Sequence, residues 1–162
     1  MDKQQVVFDT LKQLNIPYEA VNHPAVYTID EMDALHLPHG ESVVKNLFLR
    51  DFKGRQHFLV VLCQNKTADL KALRDKLGCT PLSFASEERL MQHLGLTKGS
   101  VTPFGVLNDS EHTVEVVFDG DLVGSAYIGV HPNENTATVF LSYDDLVRVI
   151  TYCGNPVSAV KI

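Results

Sequence analysis

Three short stretches of the chain hold residue types that can do chemistry. The first is Val43-Val44-Lys45-Asn46-Leu47-Phe48-Leu49, an apolar run with an ammonium and a carboxamide side by side in its middle. A buried strand carries apolar side chains on one or both faces. An ammonium placed there needs an anionic partner or a path to water, because desolvating it alone is costly. A lysine held on a rigid strand is well placed to meet a phosphate, a carboxylate or a polarised carbonyl. The same residues also fit an edge strand whose lysine simply reaches out to water.

The second stretch is Gly99-Ser100-Val101-Thr102-Pro103-Phe104-Gly105. Its glycines and proline favour a tight turn whose backbone N–H groups can point at an anion or a developing oxyanion. A plain loop has the same composition. The third is Gly129-Val130-His131-Pro132-Asn133-Glu134-Asn135-Thr136, where Pro132 restricts the backbone of His131 and hydrogen-bonding side chains follow. A hairpin turn with an exposed His131 at its shoulder also accounts for it. His36 and His39 lack a third ligand at a metal-like spacing. There is no GxSxG elbow and no cysteine in a nucleophile context, although a triad assembled only in space stays open.

These residues must be positioned by elements whose periodicity is readable. Val6, Val7, Leu11 and Leu14 predict an amphipathic helix closed by Asn15 and Pro17, with a short strand at Tyr18–Val21. Thr28-Ile29-Asp30-Glu31 has the capping-box form and predicts a helix to about Leu35. Val43–Arg50 and Gln56–Cys63 read as a hairpin around Asp51–Arg55. Thr67 is expected to cap a helix carrying Leu70, Leu73 and Leu77 that ends at Gly78. Ser86 starts another helix, which ends at Gly95. Strands are expected at Thr113–Phe118, Ala126–Val130 and Thr136–Leu141. A last helix runs from Ser142 and Asp145 to Gly154, before a short strand at Val157–Val160. Strands and helices mix without strict βαβ alternation, which predicts an α+β fold: a mixed β-sheet partly closed into a barrel and flanked by helices.

The chain has 162 residues, 44% hydrophobic and 21% charged, as expected of one globular domain spanning 1–162. No apolar run approaches the roughly 20 residues of a membrane span, and the polar N-terminus predicts no secretory signal. Cys63, Cys79 and Cys153 are odd in number and far apart, which suits reduced thiols in a cytoplasmic protein better than a disulfide framework or zinc site. The net charge of −6 argues against a general nucleic-acid binder. Its distribution is uneven. Lys45–Lys76 holds eight basic and three acidic residues, a local +5, against −11 for the rest. That window suits either a polyanion-facing surface or solvated helix and turn charges.

Together the strand Val-Val-Lys-Asn-Leu-Phe-Leu, the loop Gly-Ser-Val-Thr-Pro-Phe-Gly and the late Gly-Val-His-Pro-Asn-Glu-Asn-Thr-Ala-Thr segment resemble the prolyl-tRNA editing domains, the YbaK and synthetase-associated family. The order of elements agrees from the first helix to about Ile150. The His-Pro-Asn segment is similar to the free-standing branch that clears alanine from proline tRNA rather than the branch that clears cysteine. The resemblance implies hydrolysis of the ester joining a wrong amino acid to the terminal adenosine of tRNA(Pro), with no metal or organic cofactor and no membrane. It implies the mischarged acceptor end as the partner, with prolyl-tRNA synthetase or an elongation factor as further ones. Cysteinyl-tRNA(Pro) is the alternative substrate, and a non-catalytic module binding tRNA or a synthetase is the alternative role.

The catalytic residues it implies are Lys45, Asn46, Gly99, Ser100, Gly105 and His131. Lys45 would hold the terminal phosphate or the ester region, and Asn46 would place the substrate. Backbone N–H groups of Gly99–Gly105 would receive the oxyanion. His131 would contact the aminoacyl group or ribose, or orient the attacking water. Substrate contacts are expected from Val44, Thr102, Pro103, Phe104, Gly129 and Asn133, with Lys53 and Arg55 on the RNA-facing surface.

Overall fold

The computed structural model of the protein describes residues 2–162. Helix α1 (Lys3–Gln13) is capped by the Asp2 carboxylate, and strand β1 (Glu19–Asn22) follows. Helix α2 (Ile29–Ala34) starts at Thr28, whose hydroxyl accepts from the Glu31 N–H. The Glu31 carboxylate reaches one residue further back than a capping box requires and accepts from the Tyr27 N–H at 3.0 Å. Strands β2 (Val44–Asp51) and β3 (His57–Cys63) form the expected hairpin.

Helix α3 (Leu70–Leu77) is capped by Asp69 and not by Thr67. The Asp69 carboxylate accepts from the Lys71 and Ala72 N–H groups, which lie within the first turn, out of reach of residue 67. Helix α4 (Glu87–Leu94) and helix α5 (Tyr143–Cys153) carry the expected serine caps and glycine ends. Strand β5 is Val114–Asp119, β6 is Ile128–Val130, β7 is Ala137–Leu141 and β8 is Val157–Val160. A three-residue strand, β4 (Leu82–Phe84), was not expected; it is short, exposed and anchored by pairing to Leu49–Asp51.

The strands make two sheets. One is antiparallel with order β1-β7-β6; the other is mixed with order β4-β2-β3-β5-β8. Alternate residues of β3 feed cores on its two faces. Leu59 and Val61 pack with Val116, Phe118 and Ile150, whereas Phe58, Val60 and Leu62 pack with Leu73 of α3. A third cluster of Val26, Met32, Val43 and Phe140 lies under α2.

The expected partial barrel does not form; neither sheet closes on itself. β6 has three residues and spends its ladder on β7, so although side chains of both sheets share the main core, the backbone pairing between them among the described residues is a single parallel bridge, Val43 to Gly129. On its other side, β2 pairs with β4 only from Leu49 to Asp51. The edge of β2 from Val44 to Leu47 therefore faces the second sheet across a seam.

Candidate functional site

A cavity of about 270 Å³ occupies this seam. Its walls come from Val43 and the first four residues of β2, Val44–Leu47, and from Gly129 and Val130 of β6 with His131 just after it. Thr138 of β7, Gly99 and Val101 of the segment after α4, and residues 26–29 with Met32 complete the lining. Successive β2 residues point to opposite faces. That four strand residues in a row, Val44–Leu47, reach the cavity shows that the strand's edge borders it. Lys45 and Asn46 can therefore both serve one site.

Lys45 is the one formally charged side chain in the lining. Its ammonium donates to the Lys66 carbonyl and forms no ion pair among the described residues. Lys66 is itself clamped: its ammonium bonds the buried Asp119 carboxylate at 2.9 Å, Asp121 at 2.6 Å and the Ile162 carbonyl at 3.1 Å. The hydrogen bonds that the Lys66 ammonium donates to Asp121 and Asp119 raise its pKa, so that lysine is committed to structure, whereas Lys45 has no carboxylate partner among the described residues. Beside it, the Asn46 Oδ1 is buried with no hydrogen-bond partner. An orphaned acceptor costs about 1–3 kcal/mol. One lining an open cavity is ready for a donor that arrives with a ligand.

His131 projects into the cavity from a turn that fixes its ring. Its Nδ1 lies 2.9 Å from the Ala137 carbonyl, which requires a proton on Nδ1 and leaves Nε2 as an acceptor. Burial lowers the His131 pKa, opposed by the Ala137 hydrogen bond and assisted by the nearby His23 ring. Its carbonyl accepts from the Thr102 hydroxyl at 2.6 Å. Gly129 is needed for closeness: a Cβ there would meet Phe140 Cε1 at 2.7 Å and Val43 Cγ2 at 2.9 Å.

The structure thus brings Val44, Lys45, Asn46, Gly99, Gly129 and His131 to one cavity. Other expected site residues lie elsewhere. Ser100, Thr102, Pro103, Phe104 and Gly105 are buried behind the wall, because Thr102 caps a 3-10 turn over Pro103–Asn108. The Ser100, Phe104 and Gly105 N–H groups are consumed within that turn and its approach. Those of Gly99 and Val101 make no hydrogen bond among the described residues. Thr102 buttresses His131, and none of these five buried residues lines the cavity. Asn133 adopts φ 67° in the turn and is buried outside the lining. Lys53 and Arg55 sit on the β2–β3 turn, at the opposite end of β2 from Lys45. Thr138 and the segment at 26–29 went unnoticed as site residues in the sequence, because ordinary apolar and capping patterns carry no sign of the cavity they face. No group of three or more histidine, cysteine or acidic side chains is placed to hold a metal among the described residues.

Residues 23–149 match the model of the aminoacyl-tRNA editing domain family. The prolyl-tRNA editing protein ProX of Acetoanaerobium sticklandii is 52% identical over 162 residues, covering 100% of this chain and 99% of that protein. The prolyl-tRNA synthetase associated domain-containing protein 1 of Danio rerio is 37% identical over 153 residues, covering 93% of this chain and 82% of that one. Among solved structures, that of a candidate trans-editing enzyme for prolyl-tRNA synthetase superposes with a TM-score of 0.73 at 21% identity, covering 100% and 98% of the two chains.

Proposed function

The chain belongs to the aminoacyl-tRNA editing domain family, and from that premise we propose that it is a trans-acting deacylase that hydrolyses alanyl-tRNA(Pro). The observation that carries this reading is the unpaired Lys45 ammonium beside the orphaned Asn46 Oδ1, both on one cavity of about 270 Å³. A synthetase pocket shaped for proline gains only a few kcal/mol against a smaller apolar amino acid, so a second and smaller sieve is the effective correction. A cavity walled by Val43, Val44, Val101 and Val130 suits the alanine methyl.

The ester is already activated, so placing it and stabilising its oxyanion suffice. Lys45 holds a phosphate of the terminal nucleotide or the ester region. Asn46 Oδ1 accepts from the α-ammonium of the aminoacyl group. Water adds to the carbonyl carbon, and the oxygen that becomes negative is received by the free N–H groups of Gly99 and Val101. The bond to the ribose oxygen then breaks, and that oxygen takes the proton that the attacking water gives up, releasing alanine and the tRNA hydroxyl. His131, kept neutral, offers Nε2 as an acceptor that orients the water or the neighbouring ribose hydroxyl. Prolyl-tRNA synthetase and an elongation factor are the partners that would deliver or protect the charged tRNA.

The test is single-turnover hydrolysis of alanyl-tRNA(Pro). Lys45→Ala is expected to lose at least about a hundredfold in rate, about 2.7 kcal/mol of transition-state stabilisation, with an unchanged circular dichroism spectrum. A folded variant that hydrolyses at the native rate contradicts the assignment.

A further inference from the structure

Tyr27 stands at the cavity rim with most of its ring in solvent. It is 65% exposed, and it is the one tyrosine or phenylalanine in the cavity lining. An aromatic side chain left in water beside a polar site calls for an explanation, since burying it would be favourable. Its placement is fixed from three sides. The Tyr27 N–H donates to the Glu31 carboxylate at 3.0 Å. The preceding residue, Val26, is tied to Asn135 in both directions, by its carbonyl at 2.7 Å and its N–H at 3.3 Å. One edge of the ring lies against Gly99, where an added Cβ would come within 2.6 Å of Tyr27 Cδ1. Gly99 has φ +90°, so both its backbone and its missing side chain accommodate the ring. By contrast, the exposed Tyr127 is already stacked on His39 with ring centroids 3.8 Å apart, whereas Tyr27 has no ring partner among the described residues.

A ligand whose phosphate meets Lys45 and whose ester enters the cavity must leave its terminal base at the rim. A fixed, open ring there is a stacking platform, and every base has a face to stack. We infer that Tyr27 is the platform for the terminal adenine of the acceptor end, gripping the 3′ nucleotide by its base while Lys45 grips its phosphate. The identity of the base rests on the deacylase reading; the platform itself does not.

The chain has no tryptophan, so the substitution Tyr27→Trp places a single indole fluorophore at the rim. Uncharged tRNA(Pro) ending in CCA is expected to quench that fluorescence saturably, and the same tRNA truncated to CC is not. By filter binding, the native protein should hold the CCA form at least about tenfold more tightly than the CC form. Tyr27→Ala should erase that difference while Tyr27→Phe keeps it. Equal quenching by both tRNAs, or equal discrimination by Tyr27→Ala, overturns the inference. So does a Tyr27→Ala variant that gains activity on prolyl-tRNA(Pro) with unchanged KM, because the ring is then a wall of the sieve. None of the binding arms requires hydrolysis. A native protein that discriminates CCA from CC yet hydrolyses nothing would sink the deacylase reading and leave the platform standing.

Discussion

Asn46 carries the residue-scale tension between stability and function. Its buried Oδ1 has no partner, and the orphaned acceptor costs the empty protein about 1–3 kcal/mol. Asn46→Leu removes the orphan while roughly keeping volume. The variant is expected to resist urea at least as well as the native protein and to lose tenfold or more in deacylation; a less stable but fully active variant would contradict this role. Lys45 and Asn46 were legible in the sequence because polar residues inside an apolar strand are rare and need a reason. Ser100 and Gly105 misled for the converse reason. A Gly-x-x-x-Pro-x-Gly pattern advertises free N–H groups, but whether a turn consumes them depends on Thr102 folding inward to cap Pro103–Asn108.

At the scale of elements, the end of the β2–β3 hairpin far from the cavity is held by a buried histidine. His57 packs between Phe48 and His93, with ring centroids at 5.6 Å and 4.0 Å, and its Nε2 lies 3.1 Å from the Arg89 guanidinium. Burial, then His93, Arg89 and Arg50, push its pKa down to about 4, with Asp51 opposing. The unfolded chain takes up that proton near pH 6.5 and the native one only near 4. The contribution of His57 is therefore fully present above about pH 6.5 and is lost as pH falls toward 4. Urea unfolding of the native protein at pH 7 and pH 5 should show a loss that is smaller in His57→Gln; equal losses would place the acid sensitivity elsewhere. The helices and both strands of this hairpin were readable from period and caps, except that Asp69 and not Thr67 caps α3. β4 was not, because three exposed residues have no period, and its existence depends on a long-range pairing to Leu49–Asp51.

At the scale of the whole molecule, the decisive feature is the seam between two sheets. Periodicity announced the strands but not that β6 would end after three residues and leave the barrel open. That failure to close makes the cavity, and Gly129 sets its width. Gly129→Ala pushes a methyl into Phe140 and Val43. It is expected to cost about 1–3 kcal/mol of stability and to lower deacylation more than binding of uncharged tRNA, since the seam must widen beside His131. A variant with native stability and rate would show that the bridge does not govern the site.

What the seam admits decides whether it is a sieve. Single-turnover hydrolysis of alanyl-, cysteinyl- and prolyl-tRNA(Pro) by the purified native protein measures this directly. Alanyl-tRNA(Pro) should be cleared fastest, cysteinyl-tRNA(Pro) more slowly and prolyl-tRNA(Pro) at its spontaneous rate. Cysteinyl-tRNA(Pro) cleared fastest would reassign the substrate within the family, and prolyl-tRNA(Pro) cleared as fast as alanyl-tRNA(Pro) would contradict the sieve itself.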